Sequence, residues 1–228
     1  MMVAIHQPQF MPWLGYFDKM DRADCFVLLD NVQYKKNEWQ NRNRIKTPQG
    51  AQWLTVPVSY TFPAKILEVT IPADQPWPRK HVQALRTNYA RAPYWPQYEG
   101  FLEEFYGRTW QDLVGVNCAS VEWLRGELGI ATPLCLASQM ELRQEPTERL
   151  LDICRVVGAD VYLAGADGRK YMELERFAQA NIRVIFQEYA HPVYAQLHGD
   201  FVSHLSALDL LLNCGPQSGK ILRSGRQN

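Results

Sequence analysis

The sequence predicts an α/β fold: a mostly parallel sheet in a three-layer arrangement, interrupted by an inserted β-hairpin and a helical subdomain. Three observations carry that expectation. Short apolar runs alternate with stretches of helical apolar spacing, the pattern of parallel strands joined by crossover helices. Each apolar run ends in a polar, glycine-containing or amide-rich segment, and the carboxyl edge of an open α/β sheet is where such folds hold ligands. Hydrophobic residues make up 46% of the 228 and charged residues 21%, enough apolar surface for a single domain over residues 1–228.

Residues 2–6 read as the first strand and 25–30 (CFVLLD) as the second. Between them residues 12–22 form a short amphipathic helix, with Pro12 suited to its first turn. Two period-two, β-branched runs at 52–59 and 65–71 are joined by a turn at 60–64 and predict a hairpin within 50–72. Residues 73–132 are helical and aromatic-rich, and Trp77, Tyr89, Trp95, Tyr98 and Phe105 are expected to form a subdomain core. Later strands fall at 133–137, 160–164 and 182–187. A helix starts near Pro146 and ends at Gly158, its apolar positions Leu150, Leu151, Ile153, Cys154 and Val157 in helical spacing. Further helices are expected at 168–180 and 205–213. Residues 218–228 carry three basic residues and no acid, and are expected to fray.

Several classes of function are disfavoured by composition. Lys plus Arg and Asp plus Glu are 24 each, so a general nucleic-acid binder, which needs surplus basic charge, is not expected. No apolar run approaches the ~20 residues of a membrane helix, and the start, MMVAIHQPQF, lacks the features of a secretory signal. Five scattered cysteines among apolar neighbours suit reduced, buried thiols in a cytoplasm.

Polar groups gather after the predicted strand ends. His6 lies where the first strand stops, just before a helix N-terminus, a place for proton exchange or an anion contact. It is the acid–base candidate, with His191 in reserve. Residues 31–50 hold five basic residues against one acid. Arg42, Arg44 and Lys35 are candidates to hold a phosphate or carboxylate, while Gln7, Gln33, Tyr34, Asn41 and Asn43 orient polar groups. An amide-rich loop that bonds only to itself is the alternative reading. Asp30 would assist a magnesium ion if the substrate is a nucleoside triphosphate. After the strand at 160–164, Gly165, Asp167 and Tyr171 form a third cluster, in which Asp167 also reads as a helix N-cap. Tyr189, His191, Tyr194 and Gln196 form a fourth, and Asp209 and Asn213 either satisfy buried partners or face the cleft. Parallel strands end together, so His6, Asp30, Gly165 and Tyr189 are expected around one cleft. Metal-ligand spacing, dinucleotide and P-loop glycine motifs and a serine elbow are missing, so no metal is expected.

The segments HQPQFMPWLGYFDKM, DCFVLLDNVQYKKNEWQNRNRIKT, QWLTVPV, AGADGRKYM, FQEYAHPVYAQLHGDF and LSALDLLLNCGP together resemble the WbqC-like protein family, in order and from residue 2 to about 222. The resemblance implies a bacterial cytoplasmic protein of O-antigen, other surface-glycan or specialised-metabolite biosynthesis, with acyl or aminoacyl transfer to an amino sugar as a suggested role. A strand ending in His, a helix, and a second strand with a polar loop are also similar to nucleotidylyltransferase-like and Rossmann-like sheets. That group pairs two histidines; here Gln9 stands where the second would be.

The expected activity is therefore a transferase acting on a phosphate-bearing or nucleotide-activated small molecule, or on a related amine. Nucleotidyl transfer with ATP and magnesium is the alternative. A non-catalytic sugar-nucleotide-binding or scaffolding subunit is the third reading. No cofactor is named by any motif.

Overall fold

Both faces of the central sheet are covered, which is why its strands read as continuous apolar runs rather than alternating ones. The computed structural model describes residues 1–170 and 172–227. Its strands are β1 (Met2–His6), β2 (Cys25–Leu28), β3 (Arg42–Thr47), β4 (Gly50–Thr55), β5 (Leu134–Leu136), β6 (Val161–Ala164) and β7 (Arg183–Phe186). Five pair in parallel in the order β5-β2-β1-β6-β7, and β3 and β4 form a separate antiparallel pair. The helices are α1 (Leu14–Asp21), α2 (Trp77–Tyr89), α3 (Trp95–Gly107), α4 (Leu113–Glu127), α5 (Pro146–Val156), α6 (Leu174–Gln179), α7 (Ala207–Cys214) and α8 (Ser218–Ser224).

Alternation along the strands sorts the core into two. Val3, Ile5, Val27, Tyr162 and Ala164 pack with Leu151, Ile153 and Cys154 of α5 and Phe177 of α6. Ala4, Phe26, Leu28 and Leu163 face the other way, into a cluster with α1, α7 and the aromatic helices. Trp77, Tyr89, Trp95, Tyr98 and Phe105 are buried in that cluster as expected, though joined to the sheet face rather than forming a separate core, and Phe101 stacks on Trp123 beside them with ring centroids 3.9 Å apart. Among the described residues no helix is long and apolar enough to cross a membrane.

Three expectations are corrected. The hairpin is not 52–59 with 65–71 but β3 with β4, in register from Arg42↔Thr55 to Thr47↔Gly50, with Gly50 at φ 105° closing the turn. β3 (RNRIKT) escapes a hydropathy reading because its buried positions include Asn43 and Lys46, whose side chains bond to backbone carbonyls. Segment 65–71 instead buries Ile66, Val69 and Ile71 around a short 3-10 turn, touching strand geometry at isolated bridges, Gln33↔Lys65, Ser59↔Thr70 and Thr70↔Asp112. The helix expected over 168–180 is split into a 3-10 turn, Ala166–Lys170, and α6. The tail expected to fray forms α8, tied to α1 where Arg223 Nε meets Asp21 and Arg226 Nε meets Asp18, each at 2.8 Å.

Candidate functional site

β1 has β2 on one side and β6, much later in the chain, on the other. Connections diverge there, and the carboxyl ends of the two strands leave a crevice between them. The ladder of β1 with β2 runs to His6↔Leu28, but the ladder with β6 stops at Ala4↔Leu163. A cleft of about 700 Å³ opens at this point. His6, Tyr16 and Lys19 line it from β1 and α1, Gly165 and Asp167 from the turn after β6, and Tyr189 from beyond β7. A second cavity, of about 630 Å³, lies at the opposite edge beside Asp160 and Arg183 and contains none of these groups.

Lys19 is 3% exposed, and its Nζ donates to the Ile5 carbonyl at 2.7 Å, beyond the end of the β1–β6 ladder. Burial pushes its ammonium down to about 7. Beside it, burial and then the Lys19 charge push His6 down to about 3, against the raising effect of its bond to the Gln7 carbonyl. The His6 ring is thus neutral at pH 7. With Nδ1 donating to that carbonyl at 3.0 Å, Nε2 is left as an acceptor. The Tyr16 ring meets His6 edge-on at 4.8 Å. Its hydroxyl and Gln9 Oε1 are buried without a hydrogen-bond partner among the described residues, and both residues line the cleft. A buried polar atom left unpaired costs free energy that a polar ligand can recover.

The walls are aromatic. Trp13 lies across Gly15, where a Cβ would come within 2.1 Å of the indole, so the first turn of α1 requires glycine there. Its ring stacks with His204 at 4.8 Å and with His191 at 6.1 Å. Gln187, at the end of β7, donates to the Gly15 carbonyl and to Asp18 Oδ2, both at 2.8 Å, and so fixes α1 against the sheet edge.

Of the residues expected from sequence, His6, Gln7, Gly165 and Asp167 line the cleft, as does Tyr189. Asp30 does not: it is buried and accepts from the Ser138 N–H at 2.8 Å, holding the segment after β5. Asn41 donates to the Val56 carbonyl, and Asn43 donates to the carbonyls of Phe10 and Met11, bracing the positive φ of Met11. Gln33 and Lys35 are exposed, Lys35 giving its backbone N–H to Gln40, while Tyr34 packs on Tyr60. Tyr194 and Gln196 bond to the buried carboxylate of Asp209, which also accepts from Tyr89; they anchor the 187–206 segment from behind. His191 stands one ring behind the cleft wall. Arg42 and Arg44 do not line the cleft; they stack on Trp53 outside it, Arg44 beside the cleft-lining Trp39. Tyr171 lies outside the described residues. Among the described residues no three His, Cys, Asp or Glu side chains gather as a metal site needs.

Lys19, Tyr16, Gln9, Trp13 and Trp39 were not singled out from sequence as site residues. The one available signal for Lys19 was a charged pair, Asp18-Lys19, inside an otherwise apolar helix that is buried from Leu14 to Met20.

Comparison with known proteins adds three findings. A model described as the WbqC-like protein family matches residues 7–221. The uncharacterized protein Rv1507c of Mycobacterium tuberculosis is 38% identical over 229 residues, 99% of each chain. No solved structure matches.

Proposed function

The chain belongs to the WbqC-like protein family, and from that premise we propose that it is a biosynthetic transferase which moves an acyl or aminoacyl group onto the amine of a small molecule, with Lys19 as the base. The family resemblance suggests surface-glycan or specialised-metabolite pathways as its setting. Lys19 carries the reading: a buried amine, half deprotonated near pH 7, lining a cleft at the crevice between β1 and β6. A base tuned to the working pH combines the right protonation state with useful basicity.

In the step proposed, the substrate amine attacks the acyl carbon, and a C–N bond forms as the carbonyl π electrons move to oxygen. Neutral Lys19 takes the proton that the nitrogen must shed. The tetrahedral adduct then collapses, the bond to the leaving group breaks, and Lys19 returns the proton to it. His6 stays neutral and accepts a hydrogen bond at Nε2, orienting the amine. This transfers to Lys19 the acid–base role expected of His6.

A second reading, nucleotidyl transfer, draws on the strand order. Counted along the chain, the main sheet runs 3-2-1-4-5, the order of Rossmann-like sheets. The two readings separate when acyl thioesters, aminoacyl donors and nucleoside triphosphates are offered with a panel of amines, products being followed by mass spectrometry and pyrophosphate release. Amide formation is expected, falling roughly 10²–10⁴-fold in Lys19→Met. Undiminished amide formation by that variant would remove Lys19 from the mechanism, and pyrophosphate release without amide would favour nucleotidyl transfer.

A further inference from the structure

We propose that the mouth of the cleft is an anion site in which Arg42 and Arg44, mounted on the indoles of Trp39 and Trp53, hold a phosphate or diphosphate group of the substrate. The inference deepens the transferase reading and rests on it for where the reacting end lies, not for the anion site itself. Positions 42 and 44 share one face of β3, and the register Arg44↔Trp53 sets an indole directly across from them. The Arg42 guanidinium carbon lies 4.2 Å from the Trp53 ring centroid; that of Arg44 lies 5.7 Å from Trp53 and 5.4 Å from Trp39. The two indoles are themselves 5.2 Å apart.

What this pair lacks is a counter-charge. Arg86 meets Glu99 and Glu103, Arg143 meets Glu148 and Asp152, and Arg223 meets Asp21. Among the described residues neither Arg42 nor Arg44 forms an ion pair. Each gives only Nη2 to a backbone carbonyl, of Asn37 and His204 respectively, so Nη1 of both forks is without a partner. Aromatic faces hold the guanidinia in place while leaving their charge uncompensated. Trp39 and His204, which flank Arg44, both line the cleft, so the Arg44 end of the pair borders the space that contains His6 and Lys19. Two adjacent forks match a doubly charged oxyanion better than a single carboxylate.

Calorimetric titration with inorganic pyrophosphate and, separately, inorganic phosphate tests the site. Pyrophosphate is expected to bind, and Arg42→Gln and Arg44→Gln are each expected to weaken it about 10-fold or more. Phosphate binding with similar affinity would make a monoester the source; clear preference for pyrophosphate would make it a diphosphate. As a check that needs no folded variant, pyrophosphate should slow phenylglyoxal labelling of Arg42 and Arg44 in the unaltered protein, read by peptide mass spectrometry. Equal affinity in both Arg variants, or labelling indifferent to saturating pyrophosphate, would overturn the proposal. Arginine-dependent binding without any amide product would leave the anion site standing and remove the acyl-transfer reading instead.

Discussion

Lys19 holds a titratable amine in a buried position, and that has a price in stability as well as a use. In the unfolded chain a lysine titrates near 10.5; in the fold burial brings this one to about 7. As pH falls from about 10 to about 7, the unfolded chain takes up a proton that the folded chain does not, so stability declines through that window and levels off below it. At about 1.4 kcal/mol per pH unit, the gap is on the order of 5 kcal/mol. Lys19→Met removes this burden but deprives the Ile5 carbonyl of its donor, a loss of about 1–3 kcal/mol. The net gain of roughly 2 kcal/mol or more predicts that the variant melts about 4–8 °C higher at pH 7, and that most of the advantage is gone at pH 10. Scanning calorimetry at the two pH values checks this. A functional amine and a merely structural one part company here: the variant should be more stable and inactive at once.

Helix α8 and the residues just after it tie down α1, the helix that carries that amine. Arg223 and Arg226 both reach Asp21, and Arg226 also reaches Asp18, which is fully buried. Burial raises the Asp21 carboxyl, but the two guanidinium forks outweigh it and hold the group below the usual carboxylate range. A carboxylate with a lowered folded pKa stabilises the protein above its unfolded value, near 4, and loses that contribution as pH falls through the folded value. The double variant Arg223→Ala, Arg226→Ala should therefore melt at a lower temperature at pH 7, yet lose less further stability between pH 5 and pH 3 than the parent. Thermal melts across that range provide the comparison; parallel acid limbs would mean that the clamp does not hold α1. On the other side of the cleft, Asp209 plays a matching role. By accepting from Tyr89, Tyr194 and Gln196 it pins the irregular 187–206 segment that carries Tyr189 and His204.

Across the whole molecule, the features legible in sequence were those that local pattern dictates. The parallel strands showed because the central three, β1, β2 and β6, are largely buried on both faces, and the edge strands β5 and β7 are apolar and half-buried. Their polar ends showed because parallel strands deliver them to one edge, and His6, Gly165 and Tyr189 do meet there. What stayed hidden depends on distant partners. β3 is polar because Asn43 and Lys46 satisfy carbonyls of loops that pattern alone cannot bring near. Lys19 reads as a surface lysine of a short helix; its burial depends on the end of β1, where its Nζ donates to the Ile5 carbonyl. Burial at that point leaves an amine that titrates near neutrality in the cleft. Carbon-13 labelling of the lysine ε positions, with the Lys19 signal assigned by its loss in Lys19→Met, would follow that titration directly by NMR in the unmodified protein. A midpoint near 7, well apart from those of exposed lysines, is expected; a Lys19 signal titrating with them near 10.5 would remove Lys19 as the base.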